Sequence, residues 1–327
     1  MSHRRPTRRQ LLVGAAAASV LFPTPTIARS VRPVTRIGGP AFGTRWNLTI
    51  RLGADAELLA GVVSDIVEHV DRLMSPWRAD SVISDFNRHQ DTGWMQVGDE
   101  IARVMNSGQA VHHQSGGAFD VAVGPLVARY GFGPIQAAPP PAEAAFSVSE
   151  DALAKSHPSL TADLCGVAKG YALDQIVHAI SRLGEKDFVL DLGGEISTRG
   201  LHPDGRGWQV AVEDPRPFTA GAAEIVALAD MSIATSGDRL NAYAIGNRRF
   251  SHVIDPLKAA PVDAATASVS VIAASGMVAD AWATALMAAG ADGPAVAERN
   301  GIDALFLLRE GERLSRVSVG RFDQHLA

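Results

Sequence analysis

Several segments of this chain combine oxygen donors, a base and small residues in spacings that suit phosphate chemistry. In Gly276 to Gly290, Asp280 and Thr284 lie four residues apart. The segment reads as a helix, because Ser275 can cap its start, alanine dominates its body and Gly290 stands where helices commonly stop. Asp280 and Thr284 therefore share one face of a segment apolar enough to be buried. A buried carboxylate is costly without a donor or a cation beside it. An acid plus a hydroxyl supplies the hard oxygen ligands that Mg²⁺ takes. A simpler reading of the same aspartate is a first-turn residue favoured by the helix macrodipole.

Ser251-His-Val-Ile-Asp255-Pro256 carries a base. Histidine titrates near neutrality, and Asp255 is near enough in sequence to orient or charge His252. With ten histidines in the chain, an exposed or structurally bonded role is the alternative. Asp163 to Gly170 places an acid, a small-residue turn and Lys169 just inside a helix start. A lysine there opposes the dipole and gains from a bound phosphate or carboxylate; the string is not a Walker A sequence. Ser115 to Pro125 is glycine-rich and ends where a helix can begin, so its backbone can approach an anion, with the Phe119 ring alongside. Asp191-Leu-Gly193-Gly194-Glu195 follows an apolar strand, and Ser236-Gly237-Asp238 reads as a turn that presents donors. Each glycine string is equally explained as a plain turn.

Mixed elements must hold these segments. Residues 46–52 alternate as a strand, and residues 58–74 show helical apolar spacing. Further helices are expected over 99–114 and 166–183. Strands are expected over 188–192, 208–213, 222–228, 267–273 and 304–308, the last preceding a polar tail. Residues 135–158, with three consecutive prolines from Pro139, read as a variable surface loop. There is no internal repeat and no regular βαβ rhythm, so the pattern favours an α+β fold over a doubly wound sheet.

The chain has 327 residues, of which 46% are hydrophobic and 20% charged, the composition of a globular enzyme. Residues 1–28 stand apart: Thr7-Arg8-Arg9-Gln10-Leu11-Leu12 is a twin-arginine pattern, followed by a short apolar run to Phe22 and small residues ending at Ala28. That predicts an export signal, with one folded domain over 29–327 and a periplasmic location. Removing the four arginines of that signal takes the net charge from −5 to −9. So acidic a chain argues against nucleic acid as a partner. The single cysteine, Cys165, can form no internal disulfide.

Taken in order, these strings resemble the ApbE family of FAD:protein FMN transferases. Phe42-Gly43-Thr44, Met74 to Arg78 with Ser81 to Asn87, Ser115 to Gly133, Asp163 to Gly170, Gly193 to Glu195 with Thr198 to Gly200, Thr235 to Asp238, Ser251 to Pro256 and Asp280 to Thr284 carry the resemblance. It implies a single T-fold-like domain of mixed, mainly antiparallel sheets with packed helices and an FAD cleft. Carried over residue by residue, it implies a magnesium site from Asp280, Thr284 and the Gly166 carbonyl. FAD would be lined by Phe42, Trp77, Ala118, Phe119, Asp120, Asp163, Lys169 and Ile254, with His252 as base and Asp280 also catalytic. Phe42 and Trp77 stand where the family commonly has Met and Tyr, which keeps an apolar or aromatic surface. The implied reaction is Mg²⁺-dependent transfer of FMN from FAD to a threonine or serine hydroxyl of an acceptor protein. Such an acceptor would be a membrane-associated electron-transfer protein or another periplasmic flavoprotein, and export would use the twin-arginine machinery. A Mg²⁺-dependent FAD pyrophosphatase, a non-catalytic FAD carrier and an exported protein without flavin are the other readings.

Overall fold

Eight strands build one antiparallel sheet whose order in space is the order in the chain: β1 (Val34–Ala41), β2 (Thr44–Arg51), β3 (Phe188–Leu192), β4 (Glu195–Arg199), β5 (Ser232–Gly237), β6 (Thr266–Ala273), β7 (Asp303–Glu310) and β8 (Arg313–Val319). In this computed structural model residues 34–327 are described, except positions 217, 218, 220, 240, 247 and 312. The export signal read over 1–28 lies outside the described residues. Neighbours that follow directly, β1–β2, β3–β4 and β7–β8, are hairpins. The long connections carry everything else.

The β2–β3 connection holds the long helices α1 (Ala56–Met74), α2 (Asp99–Gln114) and α3 (Ala168–Arg182), and the β6–β7 connection holds α4 (Gly276–Ala289). Asp55 caps α1 by accepting the Leu58 N–H at 3.1 Å, and Leu59, Val63, Val67, Val70 and Met74 form its buried stripe. The α4 helix is apolar nearly all round because it is a core helix, packed against α3, β5 and β6. Alternation along the strands divides the core. Leu48, Leu190, Val269, Val271 and Phe306 face the helices. On the opposite face, Ile233, Ile272, Leu305 and Leu307 join the hairpin Trp208–Glu213/Ala222–Leu228 and Phe322 in a second cluster. With both faces covered, β6 is buried from Thr266 to Ile272, its alternating Thr266, Ser268 and Ser270 included.

The fold is α+β and antiparallel, as expected, with differences in detail. The 135–158 segment is not all loop: Phe146–Val148 and Ala152–Lys155 pair there, and the latter also pairs with Met95–Gln96. Their alanines and short lengths leave no strong strand pattern. The polar tail contains β8, a sheet-edge strand whose arginines and serines are half-buried or exposed. Ser236 and Gly237 end strand β5 instead of forming a turn.

Candidate functional site

The start of β2, the β3–β4 turn, the end of β5 and the start of β6 meet the α3 and α4 helices around one cleft of about 760 Å³, within the range of ligand pockets. Two glycines let the helices approach. A Cβ on Gly170 would lie 2.3 Å from the Gly276 carbonyl oxygen, and one on Gly276 would lie 2.8 Å from Leu173 Cδ2. Across this contact the Gly170 N–H, in the first turn of α3, donates to Asp280 Oδ2 at 2.9 Å. Asp280 is thus a buried carboxylate at the positive end of a neighbouring helix. Burial raises its pKa, while Lys169 and the Gly170 N–H work against that rise.

One turn along α4, the Thr284 hydroxyl lies 3.3 Å from Ser236 Oγ at the end of β5. A Cβ on Gly166 would come 3.2 Å from Thr284 Oγ1 and 3.2 Å from the Phe119 ring, so the Gly166 backbone sits against both. Asp280, Thr284 and Gly166 all line the cleft. Among the described residues no group of three His, Cys, Asp or Glu is placed to hold a metal. A cation here would rest on a single carboxylate with hydroxyl and carbonyl oxygens, a donor set that fits Mg²⁺ and not Zn²⁺.

Lys169 donates to Glu195 Oε1 at 2.6 Å, and Glu195 is only 3% exposed. Burial pulls the lysine pKa down, but the Glu195 and Asp280 charges outweigh that and hold it high. Burial in turn raises the Glu195 carboxyl, opposed by Lys169. The lysine therefore enters the cleft already paired, where the sequence suggested an ammonium waiting for an anion.

His252 follows a hairpin, Ala242–Ile245/Arg248–Ser251, between β5 and β6. Asp238 anchors it: this carboxylate, 1% exposed, accepts Arg249 Nε at 2.8 Å and Arg309 Nη1 at 3.0 Å. Tyr243 stacks between Phe132 and Phe250, with ring centroids 5.2 Å away on either side, and the His252 ring meets Phe132 edge-on. His252 Nδ1 is 3.0 Å from the Asn241 carbonyl oxygen. A carbonyl can only accept, so Nδ1 carries the proton and Nε2 is the basic nitrogen. Burial lowers the His252 pKa below its usual 6.5, and Lys169 adds to that effect, while the Asn241 contact opposes it. The imidazole is neutral at pH 7, as a general base requires.

Asp255 does not orient His252. Its Oδ1 accepts the Leu257 and Lys258 N–H groups at 3.0 and 3.1 Å, and its Oδ2 pairs with Lys258 Nζ at 2.7 Å, so it closes its own turn. Of the expected FAD-lining residues, Trp77, Ala118, Phe119, Asp120, Asp163, Lys169 and Ile254 all line the cleft. Phe42 does not; it is partly buried against the main core, with φ of 47° in the β1–β2 turn. Trp77 is 67% exposed, a bare aromatic face at the cleft. Asp120 and Asp163 each cap a local turn, accepting the Ala122 N–H at 2.8 Å and the Cys165 N–H at 3.0 Å.

Sequence reasoning missed Asp174, Glu195, Asp238 and Asn241 as supports of the site. Asp174 of α3 accepts Ser275 Oγ at 2.6 Å and the Gly276 and Met277 N–H groups at 2.6 and 3.0 Å, fixing the start of α4. Glu195, following two glycines at a strand end, and Asp238, in the Ser236-Gly237-Asp238 string, carried a local signal; Asp174 and Asn241 carried none.

A cleft that gathers the Asp280 carboxylate, the Thr284 hydroxyl, a paired lysine and a histidine with a basic Nε2 has the groups that suit phosphate transfer. The chain belongs to the ApbE family, whose profile matches residues 42–306. It is 33% identical over 332 residues to the FAD:protein FMN transferase of Vibrio cholerae, covering 95% of this chain and 98% of that protein. It is 30% identical over 317 residues to the Escherichia coli K12 protein of the same name, covering 90% and 89%. Among solved structures, the flavin transferase ApbE from Vibrio cholerae superposes with a TM-score of 0.79 at 32% identity, covering 90% of this chain and all of that one. The apo flavinyl transferase ApbE of Pseudomonas stutzeri gives a TM-score of 0.79 at 32% identity, covering 90% and 96%.

Proposed function

We propose that this chain is a flavin transferase that moves the FMN part of FAD onto a threonine or serine hydroxyl of an acceptor protein. The observation that carries this reading is the meeting of Asp280, Thr284, Lys169 and His252 in one cleft of about 760 Å³, in a chain that aligns with FAD:protein FMN transferases over nearly its whole length. The acceptor oxygen forms a new bond to the FMN phosphorus, and the bond from that phosphorus to the bridging pyrophosphate oxygen breaks. AMP leaves with the bridging oxygen. The acceptor proton passes to His252 Nε2, the nitrogen left basic by the Asn241 contact.

Asp280, Thr284 and the Gly166 carbonyl would hold Mg²⁺, which when bound neutralises charge on the pyrophosphate. Lys169, kept cationic by Glu195, adds positive charge to the cleft wall. Trp77, exposed at the cleft, offers an aromatic face to the flavin nucleotide. Such transfer depends mainly on alignment and electrostatics, which a rigid end-of-sheet cleft provides. The twin-arginine pattern at Arg8-Arg9 supports export by that machinery and a periplasmic acceptor, including membrane-associated electron-transfer flavoproteins.

The test is product stoichiometry. Incubation with FAD, Mg²⁺ and an acceptor should release AMP in equal amount to acceptor-bound flavin. AMP released with an equal amount of free FMN would replace transfer by hydrolysis.

A further inference from the structure

Lys169 is a single ammonium flanked by two buried carboxylates. One is Glu195, bonded at 2.6 Å; the other is Asp280, whose charge acts on the same lysine. Only one of the two is bonded to it. The Glu195 backbone is rigidly set, whereas lysine has a flexible four-carbon stem. Gly193 and Gly194 turn the chain at positive φ just before Glu195. A Cβ at Gly193 would lie 2.4 Å from Thr44 Cγ2, and the Gly193 N–H donates to the Arg45 carbonyl at 3.0 Å. The turn is therefore locked against the start of β2, and Glu195 begins β4 from a fixed point. Its second oxygen, Oε2, is buried with no hydrogen-bond partner. Buried polar atoms in folded proteins mostly have a partner, so an orphaned carboxylate oxygen here calls for a reason. This one spends its buried charge on Lys169.

We propose that Glu195 is a positioning residue that draws the Lys169 ammonium away from Asp280, leaving the Asp280 carboxylate open to a divalent cation. Lys169 adjoins Gly170, whose N–H bonds Asp280, and both side chains line the same cleft, so without Glu195 the lysine is free to turn toward Asp280 and compete with the metal for it. The inference rests on the Mg²⁺ reading of the Asp280–Thr284 site given above and adds a residue outside the ligand set to it.

The experiment is a Mg²⁺ titration followed by thermal shift, which reads binding without turnover, on the parent protein, E195A, E195Q and the double variant K169A/E195A. E195A should need roughly 10- to 100-fold more Mg²⁺ for half its shift, the usual cost of losing a residue that supports a metal ligand. E195Q keeps the side-chain volume and should move the same way, so a folding defect in E195A does not decide the result. Removing the lysine as well should return the Mg²⁺ requirement to the parent value or below it. Equal requirements in the parent and both single variants would overturn the proposal. So would a double variant as weak as E195A, because Glu195 would then serve the site without acting through Lys169. A parent protein that shows no saturable Mg²⁺ shift would instead remove the metal reading itself.

Discussion

Asp174 and Asp280 cap each other's helices: Asp174 of α3 accepts the Gly276 and Met277 N–H groups at the start of α4, and Asp280 of α4 accepts the Gly170 N–H at the start of α3. Each helix thus receives a carboxylate at its positive end from the other. The exchange fixes the rotation of α4, and with it the direction in which Asp280 and Thr284 face. Asp174→Ala removes three hydrogen bonds and should cost about 2 kcal/mol, in line with a lost helix cap. Urea unfolding would measure this, and an unchanged midpoint would remove the role given to Asp174.

Gly170 is the second half of the same contact. Gly170→Ala puts a methyl group 2.3 Å from the Gly276 carbonyl oxygen, so the helices must separate. Overpacking of this kind should cost about 1–3 kcal/mol. The variant should also need more Mg²⁺ for transfer, because Asp280 moves with α4. Melting temperature and Mg²⁺ dependence, read together, check both parts.

Asp280→Ala separates metal binding from folding. Asp280 is buried with a raised pKa, a cost that the Gly170 N–H and Lys169 oppose and that the proposed cation would offset further. The variant should fold and lose transfer by about a hundredfold to a thousandfold, as when one well-placed stabilising group is removed. Circular dichroism and a transfer assay would show this. Near-parental transfer would rule out the metal assignment.

His252 predicts the acid side of the pH profile. Its pKa lies below 6.5, lowered first by burial, so the base is already unprotonated at pH 7. Transfer should therefore be flat near neutrality and fall only as the pH drops below 6.5 and the imidazole gains a proton. His252→Ala should keep FAD affinity, lose the acid limb, and slow transfer by about 10²- to 10⁴-fold. A parallel loss of FAD binding would make His252 a binding residue instead.

The parts of this site legible in the sequence are those written in short spacings. Asp280 and Thr284 are one helical turn apart, and Ser275 with Gly290 marks the helix that carries them, so local pattern suffices. The supports come from long-range pairing. Lys169 meets Glu195 across 26 residues, and Asp238 meets Arg309 across 71, distances over which no periodicity speaks. Nearness in sequence also misleads. Asp255 lies three residues from His252, yet its carboxylate serves the backbone of its own turn. The β8 strand was hidden by its polar residues at the sheet edge, and the strands within 135–158 by their short lengths and by the alanines of Ala152–Lys155. The resemblance in motif order supplied the assignment of Gly166 and Phe42, and only Phe42 falls outside the cleft.

The most direct test of the central claim is intact-mass spectrometry of an acceptor protein with an exposed threonine, after incubation with this protein, FAD and Mg²⁺. An added FMN mass on that threonine is expected, lost when EDTA is present and when the threonine is replaced by alanine. An acceptor left at its original mass while FAD is converted to AMP and free FMN would contradict that claim.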